Sequence, residues 1–205
     1  MRSRLARMNP RPLDEARAYA RKRSRSIIVI SFTTDPYPPE EVDRRLTRRV
    51  LEILAEAPQH RILVLTKNPR LALRDMDLML QHGDTWLGTT LTSLSDPNPL
   101  EPKAPPASKR LAALRAAKRD GVRTWLSLEP IVPGVTDVAA IVEATYSFVD
   151  FYVLGAFNYA SQLGFREPEP KEYEPVLDGI WLLDALGKEF FVKKELRKIL
   201  SKLGW

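Results

Sequence analysis

Short blocks of consecutive apolar residues alternate along this chain with stretches where apolar residues recur every three or four positions. The first block, IIVISF at 27–32, is apolar on both faces, the pattern of a strand covered on both sides in a parallel sheet. A helix is predicted before it, over 12–23, and the proline-rich loop TTDPYPPEE follows it. Over 42–56, Val42, Leu46, Val50, Ile53 and Leu54 fall on one stripe of a helix. The pattern then repeats: RILVLT (61–66) reads as a strand, KNP (67–69) as a turn and 70–81 as a helix. TWLGTTLT (85–92) is the next strand, a long proline-bearing loop spans 96–106, and a helix covers 108–119, stopped by Asp120-Gly121 in the manner of a left-handed cap. VRTWLSLEP (122–130) is a strand, 136–146 a helix, and a further strand lies near 151–154. A polar loop (160–173), a helix (175–186), the strand EFFVKK and a short basic helix close the chain.

Strands alternating with helices through short connections predict an α/β protein with a parallel sheet, either open and doubly wound or closing toward a barrel. No glycine-rich phosphate loop follows any strand, which removes the usual support for a dinucleotide-binding fold and favours an incomplete parallel β/α barrel. The domain reading is a basic segment with the first helix, 1–26, followed by the partial barrel with its C-terminal helix, 27–205. In such proteins the C-terminal ends of the strands converge on one rim, where ligands bind. The residues at those ends are Thr33, Thr34, Asp35, Pro36 and Tyr37; Thr66, Lys67 and Asn68; Thr90, Thr92 and Ser93; Ser127, Glu129 and Pro130; and Gly155, Asn158 and Tyr159. Each has an ordinary structural use in a turn or cap. Together they place a lysine, two carboxylates and several hydroxyls on one rim, which suits a zwitterionic or ribose-bearing ligand: carboxylate to Lys67, amine to Asp35 or Glu129, hydroxyls to Ser, Thr and Asn.

Composition narrows the chemistry. Apolar residues make up 44% of the chain but in short runs, so no membrane span or secretory leader is expected, and the location expected is cytoplasmic. There is no cysteine, hence no disulfide, no thiolate metal site and no cysteine-ligated iron–sulfur cluster on this chain alone. The only histidines, His60 and His82, are expected to face solvent near helix ends, and no metal site is predicted. Residues 1–26 hold nine Arg or Lys against two acids, an excess of +7 in a chain whose total is +6, so the basicity belongs to one end. Arg17, Arg21, Lys22, Arg23 and Arg25 are candidate nucleic-acid contacts there; a solvated, arginine-rich helix is the alternative.

The strings SFTTDPYPPEE, LTRRVLEIL, ILVLTKNPRLALRDMDLM, WLGTTLTSLSD, EPKAPP, RLAALRAAKRDGVRTWLSLEPIVPG and FVDFYVLGAFNY occur in that order. From about Ile27 to Leu196 the chain resembles radical S-adenosylmethionine proteins of the spore photoproduct lyase-like group, often described as DNA repair photolyase-like. The resemblance implies a six-unit partial barrel, with the Thr34-Asp35-Pro36 loop where the methionine amine of S-adenosylmethionine is held. It also implies that Lys67, Thr90, Ser127 and Glu129 line the cofactor and substrate pocket; Asn158 joins the candidate cofactor-binding residues from its place at a strand end. That family carries, ahead of the matching part, a first strand and a loop of three cysteines ligating a [4Fe–4S] cluster; this chain is expected to lack both. Without the cluster no electron is available to cleave the sulfonium bond. Three readings stand. One is a cluster-less, non-catalytic barrel that binds S-adenosylmethionine, a nucleotide or nucleic acid. Another is half of a split radical enzyme acting on nucleic acid with a cysteine-bearing partner. The third is an accessory nucleic-acid-binding protein. An interior-type strand at 27–32 with no neighbour on one side also calls for a cover: the N-terminal segment, a second copy of the chain, or that partner.

Overall fold

The structure is a computed structural model and describes residues 11–30, 34–96, 98, 100–158 and 160–205. Residues 1–10, Ser31, Phe32, Thr33 and Tyr159, on which some of the expectations above fall, lie outside the described residues.

Six apolar segments form one sheet: β1 (Ile27–Ile30), β2 (Arg61–Leu65), β3 (Thr85–Thr90), β4 (Arg123–Ile131), β5 (Phe151–Ala156) and β6 (Glu189–Val192). They pair in chain order, every pair parallel, with β1 and β6 at the edges. The sheet is the curled half-barrel that the alternation predicted. In β2 burial alternates, with Ile62 and Val64 in the core while Leu63 and Leu65 are half-buried. The outer face therefore packs on helices through Ile62, Val64, Leu87, Leu126, Leu128 and Leu154.

The inner face is filled differently. Leu65, Gly88, Trp125, Phe151 and Glu189 lie in register across β2–β6. A Cβ at Gly88 would stand 2.4 Å from the Trp125 ring, so the indole lies on the bare backbone of β3 and donates from Nε1 to Val64 O at 3.2 Å. Nearer the rim, Thr90, Ser127, Val153 and Phe191 form the next row. Toward the edges this face opens, leaving Ile27 64% and Phe191 50% exposed.

The helices are α1 (Arg11–Ala20), α2 (Glu41–Arg44), α3 (Leu46–Ala55), α4 (Pro69–Ala72), α5 (Met76–His82), α6 (Ala107–Arg119), α7 (Val138–Thr145), α8 (Val176–Ala185) and α9 (Lys194–Leu200). None of the described helices is long and apolar enough to cross a membrane. Two predicted helices are broken, each by a buried carboxylate. The helix expected over 42–56 divides at Arg45, which adopts φ +49°, because Glu41 turns back to accept Thr47 N–H at 2.7 Å. The helix expected over 70–81 passes through a 3₁₀ turn, Leu73–Asp75. That turn buries Asp75 completely, to accept Tyr37 Oη (3.1 Å), Arg74 (2.9 and 3.0 Å) and Arg48 (3.2 Å). Asp120 and Gly121 (φ +97°) do end α6 as read.

The histidines correct the sequence reading. His60 is 1% and His82 6% exposed. Each sits where a strand is entered and backbone groups need partners. His60 Nδ1 accepts Ser26 N–H at 3.2 Å, and its Nε2 lies 2.9 Å from Tyr19 O. His82 Nδ1 accepts Asp84 N–H at 3.3 Å, and its Nε2 lies 3.1 Å from Ala57 O. Both rings act as backbone connectors.

Candidate functional site at the strand ends

The loop after β1 is fastened to the loop after β2 by Asp35. Its Oδ1 accepts Tyr37 N–H (2.9 Å) and the Thr66 hydroxyl (2.6 Å), and its Oδ2 accepts Lys67 N–H (2.8 Å). Asn68 Nδ2 closes the same junction on Tyr37 O at 3.1 Å. Beneath it Tyr37 is fully buried, and burial followed by the adjacent Asp75 charge pushes its phenol far above the ordinary range. Asp35 thus positions the loop, and a ligand amine there would share oxygens already accepting three protein donors. Thr34 is exposed beside it.

Lys67 is tied to a residue that sequence reasoning missed. Its Nζ lies 2.6 Å from Glu101 Oε1, whose side chain is only 5% exposed. Glu101 Oε2 accepts Arg110 Nη2 at 2.9 Å, and Arg110 Nη1 donates to Thr90 O at 2.8 Å. Burial pushes the Glu101 carboxyl up, but Lys67 and Arg110 outweigh it and hold the group below the ordinary carboxylate range. Arg110, 1% exposed, shares a helix stripe with Ala107, Leu114 and Ala117. A cation on an apolar stripe was the one available signal for this cluster. Glu101 itself lies in an aperiodic proline loop.

A second group forms where β4, β5 and β6 end. Thr90 and Ser127 are register partners, both buried. Lys193, just past β6, donates from Nζ to Glu129 Oε2; each of these side chains is about 30% exposed. Gly155 makes room for this pair, since a Cβ there would come within 2.9 Å of the Glu129 side chain. Asn158 lies further round, lining a cavity of about 350 Å³ with Phe157, Glu167, Tyr173 and Glu195. The rim therefore holds the predicted residues in three groups: Asp35 with Lys67, Thr90–Ser127 with Glu129, and Asn158 apart.

At the opposite end, where the strands begin, Arg21, Lys22, Arg23 and Arg25 are exposed, Lys22 Nζ lies 4.1 Å over the Tyr19 ring, and Arg17 pairs with Asp14 at 2.9 Å.

The fold, a parallel half-barrel, is radical S-adenosylmethionine-like and is shared with solved structures. SuiB of Streptococcus suis bound to precursor peptide SuiA superposes with a TM-score of 0.58 at 10% identity, over 87% of this chain and 40% of SuiB. SuiB bound to S-adenosylmethionine gives 0.55, also at 10% identity, over 82% and 39%. The chain belongs to the family described as "Protein of unknown function (DUF5131)", whose profile matches residues 2–156. Relatives include the uncharacterized protein MJ0683 of Methanocaldococcus jannaschii, 30% identical over 72% of this chain and 58% of that protein. The uncharacterized protein ORF301 of Acidianus two-tailed virus is 30% identical over 62% and 42%. The chain thus spans about half the length of these relatives. A cysteine-ligated cluster does not fit its residues: the sequence has no cysteine, and among the described residues no group of three or more His, Asp or Glu is placed to hold a metal ion.

Proposed function

We propose that the rim between β3 and β6 binds S-adenosylmethionine or a related zwitterionic nucleoside, and that this chain alone performs no radical chemistry. The observation that carries the reading is the half-exposed Lys193–Glu129 pair beside the buried hydroxyl-bearing residues Thr90 and Ser127. Glu129 is the acceptor for the ligand's ammonium and Lys193 the donor to its carboxylate, while Asn158 is a candidate for the ribose. Asp35 and Lys67 shape the pocket wall. SuiB, a protein of the same fold, has been solved with S-adenosylmethionine, which supports this ligand class. Within the fold class, the strand-end motifs favour the spore photoproduct lyase-like group, with a nucleic-acid substrate for the ancestral or assembled enzyme. Calorimetry with S-adenosylmethionine tests the reading. Glu129→Gln and Lys193→Met should each weaken binding about tenfold or more, the loss of one charge-assisted hydrogen bond. Absence of binding by the unmodified chain overturns it.

One observation favours a second reading, that a cysteine-bearing partner completes a split enzyme. β1 is an edge of the described sheet, with Ile27 64% exposed. Anaerobic co-purification with native partners followed by iron analysis decides it; an iron-free isolate without a companion chain refutes it.

A further inference from the structure

We propose that the end of the half-barrel where the strands begin is a binding surface for the phosphate backbone of nucleic acid, centred on Arg25 and Arg123 around the Asp84–Trp86 pair. Three guanidinium groups converge on one carboxylate. Arg61 Nε contacts both Asp84 oxygens, at 3.1 and 3.2 Å, and Trp86 Nε1 donates to Oδ1 at 2.8 Å. Asp84 is then largely engaged. Arg25 stands off at 3.6 Å and Arg123 at 3.9 Å, with side chains 71% and 56% exposed. Arg61 and Arg123 both stand over the Trp86 ring, at 4.8 and 5.2 Å, so the aromatic plane orients them. Elsewhere at this end Lys118 pairs with Asp150 and Arg119 with Asp120, Lys188 donates to Val149 O, and Arg115 stands over the Phe148 ring. The guanidinium groups clustered on Asp84 and Trp86 lie on the β1–β4 side.

That cluster continues outward. His60 fixes the turn leading from α1 into β1 through Ser26 and Tyr19, and the exposed Arg21, Lys22 and Arg23 extend the strip from Arg25. Forked, oriented and incompletely paired guanidinium groups in a row match successive phosphates. The ring at the centre, Trp86, is only 5% exposed and cannot stack on a base, so contact is with the backbone and independent of sequence. Tyr19 and Ile27 are exposed beside the strip, so an acidic protein is the competing occupant, which the polyglutamate arm of the test decides. The surface shares no residue with the rim, so it holds a polymer without depending on the ligand proposed there.

The test is anisotropy of short labelled DNA, duplex and single-stranded, titrated with the whole chain across a salt series, with polyglutamate as the acidic-polypeptide probe. The intact chain should bind both DNA forms with strong salt dependence. Arg25→Gln/Arg123→Gln changes two exposed side chains. It should retain its circular dichroism and its S-adenosylmethionine calorimetry, weaken DNA binding about tenfold or more at moderate salt, and reduce the log–log salt slope by about two. Arg123→Lys in place of Gln should recover about half of the lost slope. An unchanged slope in the double variant overturns the proposal. So does binding of polyglutamate but not DNA, which would assign the strip to an acidic protein.

Discussion

Glu129 lies over Gly155, and the absence of a side chain on β5 gives its carboxylate the place from which it meets Lys193. A Cβ at 155 would be 2.9 Å from Glu129 Cγ, Cδ and Oε1. Gly155→Ala should therefore displace the Glu129 arm. The expected outcome is a stability loss of about 1–3 kcal/mol from overpacking, measured by urea denaturation, together with weaker S-adenosylmethionine binding by calorimetry. Lost stability with unchanged affinity would separate this pair from the ligand site.

Gly88 makes a stiffer demand. Its added Cβ would fall 2.4 Å from Trp125, a ring wedged across the inner face and bonded to Val64 O. Gly88→Ala should destabilise the chain by at least about 1–3 kcal/mol. Trp125→Leu should lose about as much by leaving a void. The double variant should be less destabilised than the sum, because the two changes compensate in volume. Strict additivity in a denaturation cycle would contradict the packing described.

His60 joins α1 and the basic turn to the barrel through two backbone groups, Ser26 N–H and Tyr19 O. His60→Ala leaves Ser26 N–H without this acceptor and Tyr19 O with Lys22 N–H alone, in a site that was 1% exposed, for a loss of about 1–3 kcal/mol. Limited trypsin digestion should then cut first at Arg21, Lys22 and Arg23, faster than in the unmodified chain. Equal rates would mean that α1 is held by its packing on α3 alone.

The strands and their parallel order were legible in the sequence because continuous apolar runs such as RILVLT and TWLGTT can be buried only on both faces. The rim was legible for the same reason, since it is wherever those runs stop. Two helix interruptions were not, because Glu41 and Asp75 look like surface acids until Arg74 is brought to the first, and Tyr37 and Arg48 to the second, from elsewhere in the chain. The same holds for Glu101, whose partners Lys67 and Arg110 lie on either side of it in sequence. Local pattern reports which face is apolar; it does not report which charge is neutralised by a residue dozens of positions away. The histidines were misread on that account, as polar residues between elements whose partners are backbone groups.

The Lys67–Glu101–Arg110 cluster predicts a defined acid response. Its carboxyl is held below the ordinary carboxylate value of about 4.3. Such a group contributes stability that is present above the unfolded-state value and is lost as pH falls through its lowered folded-state value. Several other acids, Asp77 and Asp96 among them, are also shifted down, so the total acid sensitivity is not diagnostic. The difference between the unmodified chain and Glu101→Gln is. At neutral pH the variant should be less stable by about 3–5 kcal/mol, because Arg110 remains a buried charge without its counter-ion. As pH falls from about 4.3 through the lowered folded-state value, the unmodified chain loses this contribution and the gap should narrow, while at higher pH it should stay constant. Urea midpoints for the two proteins from neutral pH down into the acid range supply the comparison. A gap that keeps its size throughout would show that Glu101 holds the loop by shape and hydrogen bonding rather than by charge.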